Sequence, residues 1–235
     1  MVGHRGASAR LPENTLTAFL AAWHAGVTWV EADTQPTADG VPVLLHDRDL
    51  NRTTSGRGPV RAAPLRDVAT LTVRGWPGVW VPRLAELLAM LTPTRALLLE
   101  LKGYHTSRQI HAVLDEIDAA GVADRVLLQS FEVEVLRELR RAVPDRPFGL
   151  LVSALDADPV ARCGELGARY YNPAAGPLLG RPTVVADLHA AGVGVVCWTS
   201  NEPPEWDALA GAGVDGIITD TPVELLTRQR RAGAA

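Results

Sequence analysis

A short helix-to-strand junction recurs through the chain and restricts the folds that it can adopt. The tripeptide Ala-Gly-Val occurs at residues 25–27, 120–122, 191–193 and 212–214, and the variant Leu-Gly-Ala at 166–168. Each copy follows a stretch with apolar residues at helical spacing and precedes a short apolar run. Glycine just past a helix end takes the left-handed conformation that stops the helix, and β-branched residues favour strands. The pattern therefore predicts helices that alternate with strands.

The predicted elements fill most of the chain. In the first helix, apolar residues recur at helical spacing from Leu16 to Trp23; Asn14 is predicted as its N-cap, and Gly26 ends it. Further helices are predicted near residues 83–91, 107–120, 132–142, 157–166, 182–191, 203–212 and 222–231. Strands are predicted at residues 2–3, 27–33, 95–101, 125–130, 147–152, 168–172, 193–198 and 214–219.

Eight strands alternating with eight helices predict a parallel α/β sheet. The junctions of the second half lie about 21 to 25 residues apart, a spacing that favours a closed (β/α)8 TIM barrel over an open sheet. No glycine-rich dinucleotide motif supports the open alternative. We therefore expect a single domain over residues 1–235, with a small insertion after strand 2, at about 47–82, that is rich in Arg, Gly, Pro and Trp.

Composition excludes several classes of function. The net charge of −4 offers no basic surface for nucleic acid, and we interpret Arg228, Arg230 and Arg231 as a solvated C-terminal tail. No apolar run is long enough to span a membrane and no secretory signal is recognisable, so we expect a cytoplasmic protein without integral membrane association. Cys163 and Cys197 are too isolated for a metal site and are predicted to be buried apolar residues.

Acidic residues end two neighbouring predicted strands at the face where such barrels carry their active sites. Glu31 and Asp33 are two residues apart, so both lie on one face of strand 2, while Val30 and Ala32 lie on the other. Glu100 ends the next strand. Two carboxylates this close stay ionised only beside a cation. Three hard oxygen ligands suit Mg²⁺ or Ca²⁺ better than Zn²⁺.

Basic residues gather at the same predicted face. His4 and Arg5 end the first strand, and His46 ends an extended run at 41–45. Lys102 is the one lysine among 23 basic residues. A divalent cation, two histidines and two permanent cations suit an anionic phosphate ester: one imidazole would activate the nucleophile and the other would protonate the leaving alkoxide. The remaining histidines are predicted surface residues (His24, His111 and His189) or are left open (His105).

These positions fall within motifs that follow one another in a fixed order over nearly the whole chain. The motifs are His4-Arg5-Gly6, Pro12-Glu13-Asn14-Thr15, Glu31-x-Asp33, Thr37-x-Asp39-Gly40, His46-Asp47, Leu50-x-Arg52-Thr53-Thr54, Glu100-x-Lys102, Gln129-Ser130-Phe131, Trp198-Thr199-x-Asn201 and residues 213–222. In this order they resemble the glycerophosphodiester phosphodiesterase family. One difference is that three residues precede His4, where family members usually carry several apolar ones, so we expect either a short first strand or an upstream start.

The resemblance implies a reaction and its central residues. Family members hydrolyse glycerophosphodiesters to glycerol 3-phosphate and an alcohol on a TIM barrel. The resemblance places His4 and His46 as the general acid and base. It places Glu31, Asp33 and Glu100 as ligands of the divalent cation.

The resemblance also assigns the surroundings of that centre. Arg5 and Lys102 would contact the phosphate of a small-molecule substrate, Phe131 and Trp198 would line the alcohol pocket, and Glu13 would lie at the edge of the metal site. Asn14 could support the metal ligands, although we expect helix capping to be its main task.

Two other functions remain open at the level of sequence. A related phospholipase D or C that cleaves lysophospholipids would need an apolar approach surface. A non-catalytic phosphoester-binding barrel would bind without turnover, although every reactive position is occupied here. The alcohol, the choice between Mg²⁺ and Ca²⁺, the attacking nucleophile and the oligomeric state are not readable from the sequence.

Overall fold

A computed structural model describes residues 1–232, so residues 233–235 of the predicted domain lie outside the described residues. The strands within this range are β1 (Val2–Gly3), β2 (Trp29–Pro36), β3 (Pro42–Leu44), β4 (Thr72–Val73), β5 (Trp76–Trp80), β6 (Ala96–Leu101), β7 (Val126–Ser130), β8 (Phe148–Val152), β9 (Tyr170–Pro173), β10 (Gly194–Cys197) and β11 (Gly216–Thr219). The helices are α1 (Leu16–His24), α2 (Leu65–Val68), α3 (Leu84–Leu88), α4 (Ser107–Ala119), α5 (Val133–Ala142), α6 (Pro159–Leu166), α7 (Ala175–Gly180), α8 (Val184–Ala190), α9 (Pro203–Ala212) and α10 (Pro222–Ala232).

Strands β1, β2 and β6–β11 run parallel and close into a barrel, so the predicted TIM barrel is confirmed. Closure runs through β1, where Val2 pairs with Ile218 of β11 on one side and with Trp29 of β2 on the other. Backbone hydrogen bonding continues past this strand, since the His4 N–H donates to the Thr219 carbonyl over 2.8 Å. Two residues of strand are therefore enough to close the barrel next to His4.

Alternation along the strands separates two apolar layers. On β6, Leu97 and Leu99 pack in the large cluster between strands and helices, whereas Leu98 packs inside the barrel with Val2 and Ile218. Each fully buried leucine stabilises the fold by roughly 1.5–3 kcal/mol. Glu100 lies two residues after Leu98, so its side chain points into the same interior and reaches the barrel mouth.

The start of α1 differs from the prediction. Thr15, not Asn14, is the N-cap: its backbone is extended and its hydroxyl accepts a hydrogen bond from the Ala18 N–H over 3.2 Å. Asn14 cannot fill that place because its backbone is left-handed, with φ of 56°. The predicted glycine stops do occur, since Gly167 and Gly213 end α6 and α9 in the left-handed conformation.

The segment predicted as an insertion has secondary structure of its own. A 3₁₀ turn covers Val60–Ala62, and β4 pairs with β5 as a hairpin, while β3, which precedes the predicted insertion, pairs antiparallel with β2 outside the barrel. A separate small core holds these pieces together; it contains Val43, Leu45, Leu50, Val60, Val68 and Val81. The insertion thus packs against β2 and the barrel mouth.

The basic cluster near the C-terminus is exposed to solvent, as expected, and belongs to the helix predicted at residues 222–231. It lies on α10, where Arg228 pairs with Asp207 of α9, its Nε 3.0 Å from Oδ1. Both cysteines are buried, as expected. Among residues 1–232, no helix has the length and apolar character that crossing a bilayer demands.

Candidate active site

Three carboxylates meet at the mouth of the barrel. Strands β2 and β6 are in register with Asp33 opposite Glu100, which places both side chains at one level. Oxygen atoms of Glu31, Asp33 and Glu100 all lie within 4.8 Å of one another. All three residues are buried, with at most 6% of their surface exposed. The structure therefore brings together the three side chains that the sequence predicted as cation ligands.

Two cationic side chains face these acids without fully balancing them. Arg5 Nε lies 3.1 Å from Asp33 Oδ2, and Lys102 Nζ lies 3.1 Å from Glu100 Oε1 and 3.6 Å from Asp33 Oδ1. Three carboxylates against two cations leave one formal negative charge in a buried cluster. An additional cation is what this arrangement lacks electrostatically.

The pKa values of the acids reflect the same imbalance. Burial, reinforced by the charge of Asp33, raises the pKa of Glu31 well above its usual value and that of Glu100 to about 7. Burial would also raise the pKa of Asp33, but the charges of Arg5 and Lys102 outweigh it and hold this pKa below its usual value. Two of the three acids are thus costly to ionise without a further cation.

The donor set fits a hard divalent ion. Glu100 Oε1 is buried and, among the described residues, has an ion-pair contact with Lys102 Nζ but no hydrogen-bond partner. The cluster offers carboxylate oxygens alone, which Mg²⁺ and Ca²⁺ prefer. The residues present therefore fit such an ion.

His4 is held by an acid that immediately follows the last barrel strand. Its Nδ1 lies 2.6 Å from Asp220 Oδ1, and its Nε2 lies 4.0 Å from Glu31 Oε2. Asp220 also accepts hydrogen bonds from Ser8 Oγ and Asn201 Nδ2. Burial opposes ionisation of Asp220, but the His4 contact lowers the pKa of this acid to about 2. The carboxylate thus orients the ring with Nε2 toward the acidic cluster.

Sequence reasoning gave Asp220 no role, although it lies within one of the motifs. The signal that could have found it is its position, immediately after the end of β11 at the active face of the barrel.

His46 has a carboxylate partner of its own. Its Nδ1 lies 2.7 Å from Asp47 Oδ1, and Arg52 holds Asp47 through two hydrogen bonds of 2.6 and 2.9 Å. Burial lowers the pKa of His46 below its usual value, against the opposing charge of nearby acids. Arg52 also binds both oxygens of Glu13, which accepts from Arg5 Nη1 over 2.9 Å. Glu13 therefore joins the two sides of the mouth and supports Arg5.

Asn14 contacts a predicted ligand instead of capping the helix. Its Nδ2 donates to Asp33 Oδ2 over 2.8 Å, and its Oδ1 accepts from the Asp33 N–H over 3.1 Å. Arg5 and Asn14 both have left-handed backbones, with φ of 52° and 56°. This conformation costs roughly 1–3 kcal/mol in a residue other than glycine. It lets the Arg5 N–H donate to Glu31 Oε2, so the strained turn serves the acidic cluster.

An open cavity of about 1000 Å³ leads from this cluster to solvent, with Lys102, Phe131 and Arg61 among the residues that line it. Phe131 packs edge-on against Trp198 at 5.3 Å between ring centroids, and Lys102 Nζ lies 5.6 Å from the Phe131 centroid. Trp198 Nε1 donates to the Asn172 carbonyl, which fixes the indole. Of the two predicted pocket aromatics, Phe131 therefore lines the cavity beside the predicted phosphate contact, and Trp198 packs against it.

His105, which the sequence left open, makes no hydrogen bond with the residues of the acidic cluster. It is buried, its Nδ1 lies 3.0 Å from the Gly103 carbonyl, and burial lowers its pKa to about 4. The other three histidines are exposed on helices, as predicted. Only His4 and His46, of the histidines in residues 1–232, are held by acids at the barrel mouth.

The fold and the residues at the barrel mouth together indicate one class of protein. An anionic ester would meet cationic side chains here, while imidazoles from separate strands could exchange protons with its oxygens, which is the chemistry of a phosphoric diester hydrolase on a (β/α)8 barrel. A family model described as the glycerophosphoryl diester phosphodiesterase family matches residues 4–224. The chain belongs to this family.

Individual relatives agree over almost their full lengths. A glycerophosphodiester phosphodiesterase of Caldanaerobacter subterraneus subsp. tengcongensis is 29% identical over 99% of this chain and 98% of its own. One from Bacillus altitudinis is 30% identical over 93% of each chain. A solved phosphodiesterase of Oleispira antarctica, in complex with its product sn-glycerol-3-phosphate, is 28% identical with a TM-score of 0.90, covering 96% of this chain and 94% of its own. These matches favour an enzyme over a non-catalytic binding barrel.

Proposed function

We propose that this protein hydrolyses glycerophosphodiesters to glycerol 3-phosphate and an alcohol with the help of a divalent cation. The observation that carries the proposal is the acidic cluster, whose three carboxylates lie within 4.8 Å of one another while His4 Nε2 is 4.0 Å from Glu31. The product in the related Oleispira antarctica structure supports glycerol 3-phosphate as the product here.

Glu31, Asp33 and Glu100 would hold the cation, as Mg²⁺ or Ca²⁺. When bound, such an ion stabilises the charge that develops on the phosphoryl oxygens. Together with Arg5 and Lys102 the loaded cluster has one formal positive charge. That charge matches the single negative charge of a phosphodiester, so the mouth favours this substrate over neutral esters.

His4 and His46 would move the protons. A carboxylate holds Nδ1 of each ring, which in the neutral imidazole leaves Nε2 free to accept a proton. One ring would take a proton from the attacking hydroxyl and the other would deliver one to the leaving alkoxide. Each positioned acid or base of this kind typically accelerates the reaction by about 10²–10⁴-fold.

The leaving alcohol would lie toward the aromatic wall. Phe131 and Trp198 offer an apolar surface next to Lys102, which would hold the phosphate. This wall makes few directional contacts of its own, so it would accept alcohols of different chemistry.

Hydrolysis of glycerophosphocholine with and without EDTA tests the proposal. We expect activity that needs Mg²⁺ or Ca²⁺ and falls about 100-fold or more in His46→Ala and in Glu31→Ala. His111→Ala is the matched control, because this histidine is exposed on α4. Full activity in either site variant would refute the mechanism.

A second candidate is cleavage of lysophospholipids, and an exposed pair of aromatics favours it. Trp76 and Trp80 on β5 are 41% and 52% exposed. The hairpin lies beside the mouth, because Val73 of β4 and Val81, which follows β5, line a small cavity together with His46. Tryptophan favours the membrane–water interface. Assays on lysophosphatidylcholine in mixed micelles would separate the two: Trp80→Ala should lower only the micellar rate if lysophospholipids are the substrates.

A further inference from the structure

The side chain of Gln35 makes an unusual set of contacts at the barrel mouth, where the residue also lines the open cavity. Gln35 lies on β2 two residues after Asp33 and is 3% exposed. Its Nε2 lies 3.1 Å from the carbonyl oxygen of Leu45, 3.0 Å from that of His46 and 2.6 Å from that of Asp47. One amide nitrogen thus binds three consecutive carbonyls.

The geometry requires the chain around His46 to curve about this nitrogen. An amide nitrogen has two hydrogens, so at least one of them is shared between acceptors. Residues 45–48 are in neither helix nor strand. Within residues 1–232, no backbone N–H donates to the carbonyls of Leu45, His46 or Asp47. The Gln35 amide is therefore the donor that these three carbonyls share, while the Leu45 N–H of the same segment donates to the Asp33 carbonyl over 3.1 Å.

We infer that Gln35 is a positioning residue for His46. Glu31, Asp33 and Gln35 alternate along β2 and so project from one face of the strand. A single strand then holds two of the proposed cation ligands and, through the Gln35 amide, the backbone of the histidine that works beside them. This inference rests on the proposed function, since it assigns His46 a proton-transfer role.

Loss of the amide should affect the chemical step rather than binding. Without a donor, three carbonyls lose their partner and the segment relaxes. His46 would then leave its reactive geometry, whereas Arg5 and Lys102, which would hold the phosphate, keep their own contacts. A change confined to kcat is the signature of an interaction needed in the transition state alone.

The test compares Gln35→Met with Gln109→Met, a matched change at the start of α4 that also removes an amide-to-backbone hydrogen bond. We expect Gln35→Met to lower kcat for glycerophosphocholine about tenfold or more, with KM within about threefold. Gln109→Met should retain the parental kcat. If Gln35→Met does not fold, Gln35→Asn keeps an amide that falls about 1.5 Å short, and the same loss in kcat is expected.

A double-mutant cycle distinguishes positioning from general damage. In the His46→Ala background, Gln35→Met should change kcat less than about twofold, because the residue through which it acts is gone. An equal loss in both backgrounds, or a rise in KM alone, overturns the inference. If His46→Ala is itself fully active, the proposed function fails; if His46→Ala is impaired while Gln35→Met is not, only the positioning role fails.

Discussion

Replacing Glu100 by glutamine should stabilise the cation-free protein at alkaline pH while it abolishes cation-dependent activity. Glutamine keeps the shape of the side chain but has no charge to leave unbalanced. In the wild type, burial and the neighbouring Asp33 raise the pKa of Glu100 to about 7. The protein at pH 8 therefore bears the free-energy cost of ionising this acid whenever no cation is bound.

The size of the effect follows from the pKa difference between the folded and unfolded chains. The shift from 4.5 to about 7 corresponds to about 3 kcal/mol, at about 1.4 kcal/mol for each pKa unit. Because the folded pKa is raised, the contribution of Glu100 to stability is full below pH 4.5 and is lost as the pH rises through 7. The variant has no such loss. Its gain in the free energy of unfolding over the wild type is therefore absent near pH 4.5 and complete above pH 7.

Thermal and urea unfolding in EDTA at pH 8, 6 and 4.5 would measure this advantage. For a chain of this length, about 3 kcal/mol raises Tm by about 6–12 °C. Glu202→Gln is the control, because Glu202 is exposed at the start of α9. Saturating Mg²⁺ or Ca²⁺ should stabilise the wild type more than the variant. A variant less stable than the wild type at pH 8 in EDTA would refute the electrostatic reasoning.

Two further predictions concern residues around the acidic cluster, and a third concerns the buried His105. Asp220→Asn should lower kcat for glycerophosphocholine about 100-fold, because the amide no longer favours the His4 tautomer with Nε2 free. Asn14→Ala should weaken the affinity for Mg²⁺, measured by titration calorimetry, about tenfold or more, because Asp33 loses both contacts with the Asn14 amide. His105→Gln should flatten the pH dependence of urea stability: the lowered pKa of about 4 means that stability present above pH 6.5 is lost as the pH falls toward 4, by about 3 kcal/mol.

Matched variants separate these effects from general destabilisation. Asp207→Asn removes an exposed acid that pairs with Arg228 and should leave kcat unchanged; an equal loss there would contradict a special role for Asp220. Thr15→Ala removes the N-cap of α1 and should lower the free energy of unfolding by about 1 kcal/mol. It should leave the affinity for Mg²⁺ unchanged. If the free energy of unfolding of His105→Gln falls between pH 6.5 and pH 4 as much as that of the wild type, another group titrates in this range.

Several features could be predicted from the sequence because they depend on neighbours along the chain. Glycine after a helical stretch stops the helix, and the alternation of side chains on a strand fixes which residues share a face. These rules place Glu31 and Asp33 together on β2 and place Leu98 below Glu100 on β6. The parallel barrel follows from the regular repetition of such units.

Other features depend on contacts between parts of the chain that are far apart in sequence. Asn14 was assigned to a helix cap because capping is the common local use of that residue type, yet its left-handed backbone turns the amide toward Asp33 on another strand. The fold of the insertion depends in the same way on its small separate core. Local propensity contains no information on either contact.

A few consecutive residues are enough to set the order of the alternating barrel strands and helices, the face on which each acid lies and the set of polar residues at the strand ends, so these features could be predicted from the sequence. Tertiary structure alone decided that Asp220 orients His4 across 216 positions of sequence and that Gln35 gathers the backbone around His46. It also decided how far burial shifts the pKa of Glu100. The contact between Asp220 and His4 requires barrel closure, because closure brings the first and last strands side by side. The pKa shift of Glu100 requires the closed barrel mouth, which keeps water from the acids.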